Sequence, residues 1–139
     1  MLIGNADAHL KNISFFSTNR GYHLAPFYDM VSTVAYNNPT YQPSGEQWPN
    51  CEMTIPLGHA KLFSDVTRDE VLLFAEQLGL RRAGAEHELD RFLIGLDDNV
   101  REVRERVEMI VAPTAGEDRL LTGIEVKPLR EMGRKLSRA

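Results

Sequence analysis

Two short polar stretches of the chain carry side chains that could bind a metal ion and move a proton. The stretch GNADAHLKN contains Asp7, Lys11 and Asn12, and the stretch FYDM contains Asp29. Carboxylate and carboxamide oxygens suit Mg²⁺, which commonly takes one or two carboxylates together with substrate phosphates. A further carboxylate aimed at a hydroxyl group would suit phosphoryl transfer, which depends on positioning and charge neutralisation more than on covalent chemistry.

A β-hairpin between the two stretches would bring these side chains together. The β-prone runs ISFFS (13–17) and YHLAPF (22–27) flank TNRG, in which Asn and Gly tolerate the positive φ of a tight turn. A turn centred on the Asn and Arg places Asn12 opposite about Phe27, and therefore close to Asp29. The same corner can be reached by Asp7, Lys11 and His9.

Helices are expected to dominate the second half of the chain. Thr67 and Glu70 predict a capping box at the start of a helix that Gly79 ends. Apolar residues spaced by three and four predict one long helix from Glu86 to about Ala112, followed by a proline that cannot continue it.

The expected fold class is mainly α with a small β-hairpin, in one domain of 139 residues. A last helix is expected from about Asp118 into the tail. Residues 37–50, rich in Pro, Asn and Gln, predict a long loop. The expected parts are the polar stretches with the hairpin, a loop region and a helical body, at 1–33, 34–66 and 67–139.

Composition restricts the location and the partners of the protein. A net charge of −4 and a pI near 5.6 argue against direct nucleic-acid binding. Cys51 has no second cysteine to pair with, which suits a reducing compartment. Neither a signal peptide nor an apolar run of membrane-spanning length is found, so a cytoplasmic protein without membrane contact is expected.

The two polar stretches, in their sequence context, resemble a known kinase family. LIGNADAHLKN followed by LAPFYDMVST is similar to the C-terminal part of HipA-like serine/threonine kinases, the toxins of bacterial toxin–antitoxin pairs. That family carries an Asp-x-His-x-Lys-Asn loop and then a Tyr-Asp pair, in the order that protein kinases use for the catalytic base and the metal ligands. The similarity continues through MTIPLG and the later helices.

The resemblance implies a role for each of the polar residues. Asp7 would be the catalytic base, Lys11 would neutralise phosphate charge, and Asn12 and Asp29 would hold Mg²⁺. His9 fits the pattern, but its chemistry suggests no role other than a structural one, in which it holds the loop in place. Each residue also has a purely structural alternative, as a turn or cap residue, a loop-fixing amide or a solvated charge.

The resemblance also predicts what the chain needs from elsewhere. Mg²⁺ and ATP would serve the complete kinase, but no Gly-x-Gly cluster is present, and the N-terminal, ATP-gripping lobe is expected to be absent. The chain alone is therefore expected to bind metal weakly at best and to hold no cofactor, and so to be inactive. It is also expected to expose apolar surface. Expected partners are a separately encoded N-terminal half, a second copy of the chain, or a helix-turn-helix antitoxin.

Two other functions stay open at the level of the sequence. In one, the kinase residues are relics and the helical body is a non-catalytic module that binds a protein partner. In the other, Asp7, Asp29 and His9 serve a small metal-dependent phosphohydrolase.

Overall fold

The computed structural model describes residues 2–36, 48 and 52–137. The strands in these residues are β1 (Phe15–Thr18), β2 (Gly21–Leu24), β3 (Glu52–Leu57) and β4 (Ala60–Leu62). The α-helices are α1 (Arg68–Gln77), α2 (Arg82–Ile94), α3 (Leu96–Ile110), α4 (Ala115–Ile124) and α5 (Met132–Leu136), with a π-helical segment, Glu125–Glu131, between the last two. Short 3₁₀ helices lie at Leu10–Asn12, Thr33–Tyr36 and Phe63–Asp65. The mainly helical fold class is thus confirmed.

The predicted hairpin is present, in the predicted register. Strands β1 and β2 pair antiparallel, with Phe15 opposite Leu24 and Thr18 opposite Gly21. Gly21 has a φ of 114°, the left-handed conformation that glycine adopts at little cost. The Ala25 N–H donates to the Ser14 carbonyl, so pairing extends toward the polar residues on either side.

A second hairpin lies where the sequence predicted a loop region over 34–66. Strands β3 and β4 pair antiparallel, with an irregular register between Glu52 and Leu57. Pro56 lies inside β3, and proline within a run argues against a strand, which is why the pattern hid it. The predicted loop at 37–50 lies outside the described residues, apart from Trp48.

Helix α1 begins as predicted but uses only half of a capping box. The Thr67 hydroxyl accepts from the Glu70 N–H at 3.3 Å, which confirms the N-cap. The Glu70 carboxylate accepts instead from the His59 N–H at 2.6 Å, and so joins α1 to the turn of the second hairpin. Gly79, with a φ of 81°, follows the end of the helix.

The single long helix predicted from Glu86 to Ala112 is instead two helices, which is a correction. The backbone leaves helical geometry at Gly95, between α2 and α3. Glycine weakens a helix because it loses the most conformational freedom on folding. The break lets Leu96, which is buried, pack against Gly133 near the C-terminus.

The C-terminal helical segment starts earlier than predicted. Helix α4 begins at Ala115, after a capping box between Thr114 and Glu117, rather than at about Asp118. Pro128 lies within the π-helical segment, where the altered hydrogen-bonding pattern accommodates its missing N–H. The chain then continues as α5 to Leu136.

The core joins the second hairpin to the C-terminal helix and to the segment after Asp29. Trp48 stacks on Phe63 with ring centroids 6.0 Å apart, and its indole N–H donates to Glu131 at 2.7 Å. The buried cluster comprises Val34, Trp48, Met53, Ala60, Phe63, Val66, Met132 and Leu136. The residues of the first hairpin lie outside it. Of the helices in the described residues, none is both long and apolar enough to cross a membrane.

Candidate functional site

Asn12 and Asp29 meet at the open end of the first hairpin. The Asn12 amide nitrogen donates to Asp29 Oδ2 at 3.0 Å, across seventeen residues of sequence. The strand register produces this contact, because the residues before β1 and after β2 continue side by side past the last ladder pair. The structure therefore brings together the two residues that the sequence nominated as metal ligands.

Tyr28 locks this end of the hairpin, a role that the sequence did not indicate. Its hydroxyl donates to the backbone carbonyl of Lys11 and lies 3.4 Å from the Ser14 hydroxyl. The ring is about half exposed. The bond ties the residue before Asp29 to the residue before Asn12, so it supports the contact between the two side chains.

Asp7 is linked to Asp29 through an intervening asparagine. The Asp7 N–H donates to Asn5 Oδ1 at 3.0 Å, and the Asn5 amide nitrogen donates to the Asp29 carbonyl at 3.1 Å. The Asp7 carboxylate lies on the exposed side, 2.7 Å from the Nε2 atom of His9. His9 thus contacts the predicted base directly. Asn5, which the sequence did not single out, links two segments of the candidate site.

Asp29 adopts a backbone conformation that is rare outside glycine. Its φ is 57°, in the left-handed region. Among the residues that the structure describes, it is the one non-glycine residue with a positive φ. Asp is among the residues that tolerate this region, at some cost. Such conformations are found where surrounding contacts support them, and often at functional sites. Here the Asp29 carbonyl accepts from both Asn5 and the Val31 N–H.

Lys11 lies within the 3₁₀ helix Leu10–Asn12, next to the hydrogen-bonded side chains of Asn12 and Asp29. Its side chain is exposed and forms no ion pair with any residue that the structure describes. Its charge is therefore not neutralised by a neighbouring carboxylate among those residues, and a bound phosphate could take that place.

The donor set fits a metal ion that is shared with phosphates. Among the described residues, no cluster of three or more His, Cys, Asp or Glu side chains is arranged to hold a metal. The bond between Asn12 and Asp29 uses the amide nitrogen of one and a single oxygen of the other, so each keeps an oxygen for a cation. Mg²⁺ accepts such a site, because it keeps waters and takes phosphate oxygens as its other ligands.

The surface around these residues is strongly apolar. Large hydrophobic side chains on and beside the first hairpin are exposed, as the sequence predicted for a lobe that another protein segment would cover. They are Leu10, Ile13, Phe15, Phe16, Tyr22, Leu24, Phe27, Tyr28, Met30 and Val31. Exposed apolar patches of this kind commonly mark interaction surfaces.

A family model and two known proteins are similar to this chain in sequence. The HipA-like C-terminal domain family matches residues 1–103. Y4mE of Sinorhizobium fredii, whose name describes it as a kinase, is 34% identical over 80 residues, covering 58% of this chain and 17% of that protein. The serine/threonine-protein kinase toxin HipA of Shewanella oneidensis is 53% identical over 38 residues, covering 27% of this chain and 9% of the toxin.

A solved structure extends the similarity to nearly the whole chain. A chain in the complex of HipA, HipB and operator DNA from the Shewanella oneidensis toxin–antitoxin system matches with a TM-score of 0.72 at 24% identity. The match covers 97% of this chain and 29% of that one, and shows a shared fold. The match thus covers less than a third of the length of each of these three proteins. Since the family match includes both polar stretches and most of the sequence, the chain belongs to the HipA-like C-terminal domain family.

Proposed function

We propose that this chain is the C-terminal catalytic lobe of a HipA-like serine/threonine kinase, which transfers a phosphoryl group from Mg–ATP to a protein hydroxyl. In this proposal Asn12 and Asp29 hold Mg²⁺, Asp7 is the base and Lys11 neutralises phosphate charge. The observation that carries the proposal is the 3.0 Å contact between Asn12 and Asp29, two residues far apart in sequence that the hairpin register brings together.

The chemistry assigns a separate task to each side chain. Asp7 accepts the proton of the substrate hydroxyl, whose oxygen forms a bond to the γ-phosphorus while the bond from that phosphorus to ADP breaks. ADP leaves with the electron pair of the broken bond. Bound Mg²⁺ would neutralise the charge on the phosphates. His9 holds the Asp7 carboxylate by a hydrogen bond, since Nε2 and Oδ1 lie 2.7 Å apart.

The proposed activity requires a segment that grips ATP. Kinases use a Gly-rich loop over the phosphates and a strand lysine, and these 139 residues contain no Gly-x-Gly cluster for the first. We therefore propose that the chain works with an N-terminal kinase half that covers the exposed apolar hairpin. The lone cysteine suits this work in the cytoplasm.

Calorimetric titration with Mg–ADP tests the site itself. The native chain is expected to bind weakly, and Asp29→Asn is expected to abolish measurable binding because it removes the charge that attracts Mg²⁺. Asp98→Asn is the matched control, since Asp98 is an exposed carboxylate on α3 that pairs with Arg101. Equal binding by the native chain and Asp29→Asn would contradict the proposed metal site.

A labelling assay tests the dependence on a second segment. With radiolabelled ATP the isolated chain is expected to incorporate no phosphate. Stoichiometric autophosphorylation of the isolated chain would overturn the requirement for an ATP-gripping half.

A second candidate function is a protein-interaction module without catalysis. The exposed apolar surface of the first hairpin favours it, and the matching structure is part of a complex that contains HipB. In this function the chain binds a helix-turn-helix antitoxin. Binding of a co-expressed antitoxin that Phe16→Ser abolishes and Asp29→Asn leaves unchanged would support the module rather than the kinase lobe.

A further inference from the structure

Asn5 is a buried polar residue between two exposed parts of the proposed site. It is 7% exposed, whereas Asp7 and Asp29 are both exposed. Its carboxamide uses both ends, accepting from the Asp7 N–H at 3.0 Å and donating to the Asp29 carbonyl at 3.1 Å. One side chain therefore joins the backbone of the proposed base to the backbone of a proposed metal ligand twenty-four residues beyond Asn5.

Thr33 makes a second, parallel connection between the same two segments. Its hydroxyl accepts from the Ala6 N–H at 2.9 Å and donates to the Gly4 carbonyl at 3.0 Å. The Gly4 carbonyl also accepts from the Val34 N–H at 3.1 Å. The backbone polar groups on both sides of Asn5 are thus held by the segment that follows Asp29.

The packing below these bonds leaves the loop little freedom. Gly4 has a φ of 70°, and a Cβ atom there would lie 2.9 Å from the side chain of the buried Val34. The Ala6 carbonyl accepts from both the N–H and the hydroxyl of Thr54, at 2.9 and 3.0 Å, in strand β3. The loop is anchored to the core on one side and faces Asp29 on the other.

We propose that Asn5 is a positioning residue, which sets the placement of Asp7 relative to Asp29 and supports the left-handed conformation of Asp29. The catalytic importance of Asn5 rests on the proposed function, because the distance between the base and the metal ligand matters only if phosphoryl transfer takes place at this site. Loss of the Asn5 side-chain amide would leave Asn12 and Asp29 in contact, whereas Asp7 would shift away from its position relative to Asp29.

Nuclear magnetic resonance on the ¹⁵N-labelled chain tests the placement without a ligand. In Asn5→Ala the Asp7 amide hydrogen is expected to exchange about tenfold faster, because its hydrogen-bond acceptor is gone. The coupling constant that reports the φ of Asp29 is expected to change, and the Leu72 amide in the core of α1 is expected to stay protected. Asn99→Ala, an exposed position on α3, is the matched control.

Conservative variants separate positioning from a general effect on folding. Asn5→Asp keeps an oxygen for the Asp7 N–H but cannot donate to the Asp29 carbonyl, so only the protection of Asp7 is expected to return. Thr33→Val is expected to expose the Ala6 amide hydrogen to exchange, and Thr33→Ser to restore its protection. If Asn5→Ala does not fold, these variants decide the proposal.

A paramagnetic probe connects the placement to the proposed site. Mn²⁺–ADP is expected to broaden the amide signals of Asp7, Asn12 and Asp29 in the native chain. In Asn5→Ala the broadening is expected to persist at Asn12 and to fall at Asp7, a change in ratio that general destabilisation does not cause.

The outcomes distinguish the two proposals. Absence of broadening at Asn12 and Asp29 in the native chain would count against the proposed function, and the exchange measurements would still judge Asn5. The role of Asn5 is overturned if the Asp7 exchange rate and the Asp29 coupling constant in Asn5→Ala equal those in Asn99→Ala.

Discussion

At the scale of the residue, Asp29 has an unfavourable backbone conformation and a side chain that is a proposed metal ligand. Substitutions can test these two properties separately. The φ of Asp29 is 57°, a region that glycine adopts without strain. Asp29→Gly is therefore expected to leave the free energy of unfolding unchanged or to raise it by at most about 1 kcal/mol. The same change is expected to remove Mg–ADP binding. Denaturant unfolding followed by the fluorescence of Trp48, the one tryptophan, measures the first effect and calorimetry the second.

The β-branched variant Asp29→Val supplies the opposite case. It is expected to lower the free energy of unfolding by about 1–3 kcal/mol, because a branched Cβ is poorly tolerated at this φ. Similar stabilities for the glycine and valine variants would show that the left-handed conformation is not under strain.

Asp7 is expected to affect turnover and not binding. As the proposed base it acts on the hydroxyl proton in the transition state, so Asp7→Asn is expected to bind Mg–ADP within about twofold of the native chain. Turnover by the reconstituted kinase is expected to fall by about 10²–10⁴-fold. Loss of nucleotide binding in Asp7→Asn, comparable to that expected for Asp29→Asn, would make Asp7 a metal ligand instead.

At the scale of the element, the stability of the start of α4 is expected to depend on pH. Hydrogen bonds from the N–H and then the hydroxyl of Thr114 lower the pKa of Glu117 below its ordinary value. A carboxylate whose pKa is lower in the folded chain stabilises the fold above its unfolded pKa, and that contribution is lost as the pH falls through the folded pKa. Circular dichroism is expected to show α4 weakening over this acidic range.

Thr114→Ala removes the N-cap hydroxyl, which is the second of the two donors that lower the pKa of Glu117, and keeps the backbone N–H. It is expected to cost about 1 kcal/mol of stability at neutral pH, the usual value of a threonine N-cap. In the variant the acid-induced loss is expected to shrink, because Glu117 then lacks the donor hydroxyl. An unchanged acid transition would show that the Thr114 hydroxyl does not contribute to the pH dependence.

At the scale of the molecule, the first hairpin contributes apolar surface that the described residues leave uncovered. Phe15 and Phe16 are 61% and 59% exposed although they lie in adjacent positions of a strand, so neither face of the hairpin is buried. The chain alone is expected to self-associate at micromolar concentration, as measured by light scattering. Phe15→Ser with Phe16→Ser is expected to weaken association without lowering stability, because these side chains bury little area.

Ile94→Ser is the matched control for that experiment. Ile94 is 84% exposed at the end of α2 and is not part of the hairpin, so its replacement is expected to leave association unchanged. A monomeric native chain at micromolar concentration would contradict self-association and would leave the N-terminal kinase half as the proposed cover for the hairpin.

Local patterns were sufficient for part of the structure and for the centre of the candidate site. Turn chemistry at TNRG predicted the hairpin and its register, and that register placed Asn12 beside Asp29. The Thr67 cap acts within one turn of helix, so neighbouring residues revealed it. Family membership followed from the same two polar stretches.

Other features depended on contacts between distant parts of the chain. Pro56 argues against a strand at β3, and only the pairing with β4 and the burial of Met53 reveal one. The apolar spacing continues through Gly95, but the helix ends there, and Leu96 packs near Gly133. No pattern distinguished Asn5, and the Tyr-Asp pattern gave no structural role to Tyr28, since the bonds of both residues join segments far apart in sequence. Turns and helix caps depend on residues that are neighbours in sequence, so the sequence alone predicts them. A hydrogen bond between distant segments forms only when packing brings its donor and acceptor together.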